Sequence, residues 1–152
     1  MNSIIEVIPI GFSGHTLESC LENLFQPQEV ERQCEHCGSK KATEALTFVS
    51  EPATLILQLN RFTYSVVDNR VVKIQEPIIF PNVLQLPSGS SYKITSTINH
   101  IGETANSGHY TSLIFDPDKE NFILVDDDRI TTSVKINEEV CEQVYILVYA
   151  KL

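Results

Sequence analysis

Apolar residues recur at helical spacing near the start of the chain and alternate with polar residues along much of the rest. Apolar side chains between positions 17 and 25 fall three or four residues apart, which is typical of one buried helix face. Thr16 is the expected N-cap, and Pro27 ends the helix because proline cannot continue the hydrogen-bond ladder. The residues predicted to line the buried face are Leu17, Cys20, Leu21, Leu24 and Phe25.

Strand patterns account for most of the remaining chain. The segment from Glu51 to Phe62 is apolar on nearly both faces at its start, which predicts a central strand covered on two sides. Tyr92, Ile94 and Ile98 are expected on one face of another strand, with His100 on the same face. Further strands are predicted at 4–10, 71–74 and 144–150, and a short acidic helical turn at 137–139.

A hairpin is predicted in the last third of the chain. Residues 109–115 alternate in the manner of a strand, 116–118 have the composition of a turn, and 122–125 form the return strand. The hairpin brings His109 and Asp126 to the same end. The expected fold class is α+β, mainly antiparallel β with one or two short helices, in a single domain over 1–152.

A histidine beside a carboxylate is two thirds of a Cys-His-Asp thiol-hydrolase site. The carboxylate of Asp126 would accept a hydrogen bond from one imidazole nitrogen of His109, leaving the other nitrogen free to take a proton from a nucleophile. The alternative is an exposed hairpin end with solvated charges.

Composition and charge restrict the classes of partner. The chain has 152 residues, 42% of them hydrophobic, and a formal net charge of −9, which argues against nucleic acid or an anionic membrane surface as a partner. No apolar run is long enough to span a membrane, and residues 1–12 lack the features of a signal peptide. We therefore expect an intracellular protein, cytoplasmic or nuclear.

The four cysteines divide into two kinds. Cys34 and Cys37 form a Cys-x-x-Cys pair before a glycine, which is half of a tetrahedral zinc site or, alternatively, a pair of free thiols on a turn. Cys20 is expected in the core and Cys141 lies near acidic residues, so neither is expected to be a nucleophile.

Taken together, the motifs resemble those of the ubiquitin-specific protease family. The resemblance runs from about Leu17 to Tyr149. In chain order the matching motifs are Cys-x-x-Cys (34–37), Pro-Ala-Thr-Leu-Ile-Leu-Gln-Leu-Asn-Arg-Phe (52–62), Ile-Phe-Pro (79–81), Tyr-Lys-Ile (92–94), Asn-His-Ile-Gly (99–102), Ser-Gly-His-Tyr (107–110), Val-Asp-Asp-Asp (125–128) and Val-Tyr-Ile-Leu-Val-Tyr (144–149).

The resemblance implies a papain-like cysteine isopeptidase that removes ubiquitin from lysines, with the chain forming the palm and part of the fingers. By position, His109 would be the general base, Asp126 the third triad member and Asp127 an acid that polarises the site. Gly108 and Tyr110 would flank the groove for the ubiquitin tail.

The resemblance also implies candidates outside the triad. Cys34 and Cys37 match the second cysteine pair of the family's zinc ribbon. His100, from its place on a strand face, is a further candidate substrate-binding residue or, alternatively, a core or rim histidine. The family's mobile loops would be 87–91 and 102–107. No cofactor is expected to be required for catalysis.

The chain departs from the family pattern in lacking the Gly-Asn-x-Cys box that carries the nucleophile and the first Cys-x-x-Cys of the fingers. We therefore expect these 152 residues alone to be inactive. Three hypotheses follow: a part of an active deubiquitinase, with a second chain or segment supplying the cysteine box; a non-catalytic ubiquitin-binding or scaffold module; or a structural, zinc-binding β-domain.

Overall fold

The structure is a computed structural model that describes residues 7–152. Within this range the chain forms twelve strands and two helices. In chain order they are β1 (Ile8–Ile10), α1 (Leu17–Phe25), β2 (Gln28–Glu31), β3 (Lys41–Glu44), β4 (Thr54–Leu59), β5 (Phe62–Ser65), β6 (Arg70–Lys73), β7 (Val83–Gln85), β8 (Ser91–Thr104), β9 (Ser107–Asp116), β10 (Asn121–Asp126), β11 (Arg129–Val134), α2 (Glu138–Gln143) and β12 (Val144–Lys151).

Eight strands form one sheet in the order β1-β4-β12-β8-β9-β10-β11, with β7 paired to the beginning of β8. All neighbours are antiparallel except β1 and β4, which run parallel. Two separate hairpins, β2–β3 and β5–β6, lie off this sheet. The predicted α+β class, mainly antiparallel with two short helices, is confirmed.

Helix α1 packs on the sheet through the face that its apolar spacing predicted. Thr16 is the N-cap, and its hydroxyl accepts a hydrogen bond from the Ser19 backbone N–H at 3.2 Å. The helix ends at Phe25, two residues before Pro27. Because Cys20 faces the sheet from the middle of the helix, it is fully buried.

The prediction that His100 lies on the same face of β8 as Tyr92 and Ile94 is wrong. A bulge at Thr95 inserts one extra residue opposite β12, where Ser96 pairs with Val148 and Ile94 with Tyr149. An inserted residue reverses the alternation of everything after it. Thr97 and Asn99 therefore continue the buried face of Tyr92 and Ile94, while Ile98 and His100 turn to the opposite face.

Other strands also differ from the prediction in their limits or their burial. The predicted strand at 4–10 is seen only as β1, because its residues 4–6 lie outside the described residues. Strand β4 is fully buried on one face only, which carries Leu55, Leu57 and Leu59. Ile56 and Gln58, on the other face, are half-buried. The strands β2, β3, β7 and β11 were not predicted. The sequences of β2, β3 and β11 are mostly polar, and β7 has only three residues, so all four carry little hydrophobic periodicity.

A buried arginine joins the last strand to the β5–β6 hairpin. The Arg61 guanidinium is 0% exposed and donates to the carbonyl oxygens of Val144 at 2.5 Å, Cys141 at 2.6 Å, and Ile74 and Glu76 at 2.9 Å. Burial lowers the pKa of Arg61 to about 10, so the side chain stays charged at neutral pH. These contacts hold the hairpin beside the sheet end that carries His109.

Candidate active site

The structure brings His109 and Asp126 into direct contact. Strands β9 and β10 pair antiparallel, with Val125 opposite Ser112, so the start of β9 and the end of β10 meet at the same end of the sheet. Nε2 of His109 lies 2.5 Å from Oδ1 of Asp126. Both side chains are partly accessible, at 43% and 38%, so a substrate can reach them.

The carboxylate changes the chemistry of the imidazole. The hydrogen bond to Asp126 raises the pKa of His109 above its ordinary value; the charges of Asp126 and Asp127 act in the same direction, and the slight burial opposes them. Because Nε2–H donates to Asp126, the neutral imidazole keeps its lone pair on Nδ1. The pair is therefore a base with a fixed tautomer and orientation.

Asp127 lies beside the pair in the turn that leads from β10 to β11. Its backbone has a φ of 51°, a left-handed conformation that aspartate tolerates better than most residues. His109, Asp126 and Asp127 have ligand atoms within 4.8 Å of one another. These three side chains are close enough to bind one divalent cation, but Nε2 of His109 is already hydrogen-bonded to Asp126.

Two glycines lie close together where the chain turns from β8 into β9. A Cβ added to Gly108 would overlap Nε2 of His100 and lie 2.7 Å from the Ile101 carbonyl oxygen. A Cβ added to Gly102 would lie 3.0 Å from the Gly108 Cα, and Gly102 has a φ of 144°. Glycine is therefore required at both positions.

Tyr110 and His100 face away from His109, on the other side of the sheet. They are paired across β8 and β9, with ring centroids 4.9 Å apart. Tyr110 is 52% exposed and available for contact, whereas His100 is only 1% exposed. Gly108 is exposed above His100. A binding role for His100 stays a prediction, and its burial restricts that role to an indirect one, through Gly108.

The β5–β6 hairpin makes two contacts with His100 that the hydrophobic periodicity of the sequence did not predict. The Phe62 ring packs edge-on against His100, with centroids 5.4 Å apart. Lys73 Nζ donates to the His100 carbonyl oxygen at 2.5 Å. Burial lowers the pKa of both Lys73 and His100, and each is lowered further by a nearby positive charge. These contacts join elements that are distant in sequence, so only the tertiary structure shows them.

No cysteine joins His109 in the part of the chain that the structure describes. Cys20 and Cys141 are both buried in the core. Burial raises the pKa of the Cys141 thiol, more than the neighbouring acids do. The expectation that both thiols lie in an inert setting agrees with their burial.

Cys34 and Cys37 form a tight turn between β2 and β3, at the tip of an exposed hairpin. Gly38 N–H donates to the Cys34 carbonyl oxygen at 2.9 Å, and Gly38 has a φ of 71°. Backbone N–H groups of Cys37 and His36 lower the pKa of the Cys34 thiol, and the Cys37 thiol adds to this. Between residues 7 and 152 no third ligand joins the pair, so these residues do not complete a zinc site by themselves.

The assignment of loop 87–91 to the tail-binding end is wrong. This loop leads into Ser91, at the first residue of β8, whereas His109 pairs with Ile101, near the other end of that strand. The ten residue-to-residue steps from Ser91 to Ile101 span about 33 Å. The predicted loop at 102–107 is also shorter in the structure, because β8 runs to Thr104 and β9 begins at Ser107, which leaves a turn at 105–106. This turn leads into β9 two residues before His109.

Residues 12–149 match the family model described as ubiquitin carboxyl-terminal hydrolase. The chain belongs to the ubiquitin carboxyl-terminal hydrolase family. The probable ubiquitin carboxyl-terminal hydrolase 8 of Schizosaccharomyces pombe is 30% identical over 147 residues, covering 93% of this chain and 32% of that protein. Ubiquitin hydrolase B of Dictyostelium discoideum is 29% identical over 145 residues, covering 89% of this chain and 31% of that protein. The chain thus spans about a third of the length of these two hydrolases.

Solved structures share the fold. A chain of the SAGA DUB module bound to monoubiquitin superposes with a TM-score of 0.74 at 22% identity, over 95% of this chain and 35% of that chain. The SAGA DUB module bound to ubiquitin aldehyde gives 0.74 at 20% identity, with the same coverage. This likeness confirms the predicted ubiquitin-specific protease fold. No helix within 7–152 has the length and hydropathy needed to cross a membrane.

Proposed function

We propose that this chain supplies the base and the orienting carboxylate for thiol-dependent hydrolysis of bonds to the C-terminal carboxyl group of ubiquitin. Family membership supports the reaction class. The observation that carries the proposal is the 2.5 Å contact between His109 Nε2 and Asp126 Oδ1 in a partly accessible position.

In the proposed reaction Nδ1 of His109 takes the proton from a cysteine thiol as the thiolate attacks the scissile carbonyl carbon. The tetrahedral intermediate collapses, the carbon–nitrogen bond breaks, and His109 returns the proton to the leaving lysine amine. Water, deprotonated by His109, then hydrolyses the thioester, which releases the ubiquitin carboxylate and the thiol. Asp126 keeps Nε2 protonated throughout and stabilises the imidazolium.

The thiol in this proposal comes from polypeptide other than residues 7–152, in a preceding segment or a second chain. Two observations support this: no cysteine joins His109 within the described range, and Cys20 and Cys141 are buried. We further propose an intracellular location and ubiquitin or ubiquitinated proteins as partners. A zinc ion at Cys34 and Cys37 would need two further ligands from the same outside source.

A second candidate function is a ubiquitin-binding module without catalysis. It is favoured by one observation, the absence of any cysteine beside His109 among the described residues. It predicts binding of ubiquitin without any effect of His109 on hydrolysis.

Two ubiquitin substrates separate these functions. A fluorogenic ubiquitin C-terminal amide needs the thiol and should not be hydrolysed by the 152-residue chain. A ubiquitin C-terminal thioester needs only the second half of the reaction, so its hydrolysis should be accelerated by the chain and lost in His109→Ala. Ubiquitin binding, followed by NMR titration, should be retained in His109→Ala.

The other outcomes are equally informative. Ubiquitin binding without thioester hydrolysis would favour the non-catalytic module, and no binding would favour the structural domain. Hydrolysis of the amide that is lost in His109→Ala would place a nucleophile within the chain, and Cys20→Ser and Cys141→Ser would then identify it. His15→Ala is the matched control, because His15 is exposed in the segment between β1 and α1.

A further inference from the structure

His100 is buried on the face of the sheet opposite His109, and the proposed reaction does not use it. It is 1% exposed and lies between the rings of Phe62 and Tyr110. Its Nδ1 has no hydrogen-bond partner among the described residues. An unpaired buried nitrogen costs about 1 to 3 kcal/mol, so an apolar side chain would serve better if His100 only filled space.

The contacts of His100 converge on Ser107 and Gly108, the two residues that immediately precede His109. Its Nε2 edge presses on Gly108, where any larger side chain would overlap it. Hydrogen bonding between its ring and the backbone of Ser107 raises its pKa, against the lowering effects of burial and of Lys73. Gly102, on the paired strand, is also close: a Cβ added there would lie 3.0 Å from the Gly108 Cα.

His100 is itself anchored from the hairpin. Lys73 Nζ donates to its carbonyl oxygen at 2.5 Å, and Phe62 supports its ring. Its backbone pairs with Tyr110 in the β8–β9 ladder. The imidazole is therefore a rigid support, and the backbone at 107–108 rests on it immediately before His109.

We propose that His100 is a positioning residue that fixes the backbone at Ser107 and Gly108, and thereby holds the His109 imidazole against Asp126. The proposal rests on the proposed function in one respect only: it takes the His109–Asp126 pair to be the working base. His100 itself touches neither the substrate nor the reacting atoms.

The test follows His109 directly in the 152-residue chain, without ubiquitin. Long-range proton–nitrogen NMR spectra report the tautomer of the His109 ring, and a pH titration gives its pKa. In His100→Leu the ring nitrogen is lost although the volume is nearly kept. We expect the pKa of His109 to fall toward the ordinary histidine value and the Nε2–H tautomer to lose its dominance. In His100→Gln a side-chain N–H is restored, and we expect partial recovery.

A second variant replaces no buried side chain. Gly108→Ala is at an exposed position, but its methyl group would meet the His100 ring and the Ile101 carbonyl. It should lower the pKa of His109 as His100→Leu does. Gly11→Ala is the matched control, since a Cβ there meets nothing within 4 Å and His109 should titrate unchanged. His15→Leu is the control for loss of a histidine.

The proposal is overturned if His109 keeps its tautomer and pKa in a folded His100→Leu chain. If that variant does not fold, an unchanged His109 titration in Gly108→Ala overturns it instead. Failure of the proposed function gives a different pattern. The chain then does not hydrolyse the ubiquitin thioester, while the pKa of His109 still changes in His100→Leu.

Discussion

Nε2 of His109 lies 2.5 Å from Oδ1 of Asp126, although 17 residues separate the two in sequence. The contact exists because β9 and β10 are neighbours in antiparallel register, and it occurs at the end of the sheet where the chain enters β9. The pair is therefore a property of the hairpin, and it can be tested in the chain by itself.

Asp126→Asn should remove the charge that holds His109. We expect the pKa of His109 to fall toward its ordinary value, because the hydrogen bond to Asp126 is the largest cause of its rise. Any His109-dependent hydrolysis of ubiquitin thioester should drop roughly 10²-fold or more. NMR titration and a thioester assay measure the two effects. Asp118→Asn, in the turn at the other end of the hairpin, should change neither.

The His109–Asp126 pair should also give a defined pH dependence of stability. The pKa of His109 is raised in the folded state, so the stabilisation is complete below the ordinary histidine pKa of about 6.5, where Asp126 is still ionised. It is lost as the pH rises through the raised value. The urea midpoint of wild type should thus exceed that of His109→Ala by more at pH 6 than at pH 9. An equal difference at both values would contradict the prediction.

Glu51 should contribute stability that is lost in acid. Its carboxylate accepts a hydrogen bond from Lys151 Nζ at 2.8 Å and from the hydroxyls of Ser88 and Ser90, which lowers its pKa to about 2. The stabilisation is present above the ordinary glutamate pKa of about 4.3 and disappears as the pH falls toward 2.

Thermal unfolding between pH 6 and pH 2 measures this contribution. Glu51→Gln should be less stable than wild type at pH 6, and the two should converge at the acid end. Glu44→Gln, exposed on β3, is the control and should follow wild type throughout. Parallel curves for wild type and Glu51→Gln would refute the assignment.

Arg61→Met should be strongly destabilising. The substitution keeps an apolar stem but leaves four carbonyl oxygens without the guanidinium, in the segment after β6, on α2 and on β12. We expect a loss of about 3 to 5 kcal/mol in the free energy of unfolding, measured by urea denaturation. Arg70→Met, exposed at the start of β6, should cost less than about 0.5 kcal/mol. A loss below about 1 kcal/mol for Arg61→Met would contradict this role.

The four thiols should differ in reactivity. Hydrogen bonds from the backbone of Cys37 and His36 lower the pKa of Cys34, so Cys34 should react first with a thiol reagent near neutral pH. Cys20 and Cys141 are buried and should react only after unfolding. Mass spectrometry of partly labelled protein identifies the sites, and Cys34→Ser should abolish the fast phase. Labelling of Cys20 or Cys141 in the folded chain would contradict the structure.

Local sequence was enough for the elements that carry their own signals. The helix at 17–25 follows from apolar spacing with Thr16 at its start, and the β9–β10 hairpin follows from alternation on both sides of a turn. That hairpin alone brings His109 to Asp126, because strand pairing sets which ends meet. The resemblance to ubiquitin-specific proteases likewise needed only short motifs in order.

Relations between distant segments could not be predicted in this way. A single bulge at Thr95 turns His100 to the opposite face from Tyr92, and no pattern in the sequence marks an inserted residue. The placement of loop 87–91 failed for a similar reason: the length of β8 separates it from His109.

By itself, then, the sequence determined the helix, the hairpin, the fold class and the His109–Asp126 pair, because each depends on short-range periodicity, turn chemistry or neighbouring strands. Only the tertiary structure decided that Lys73 and Phe62 support His100, and that His100 supports Gly108. Those contacts depend on the strand register and on the burial of residues far apart in the chain, which hydrophobic patterning does not encode.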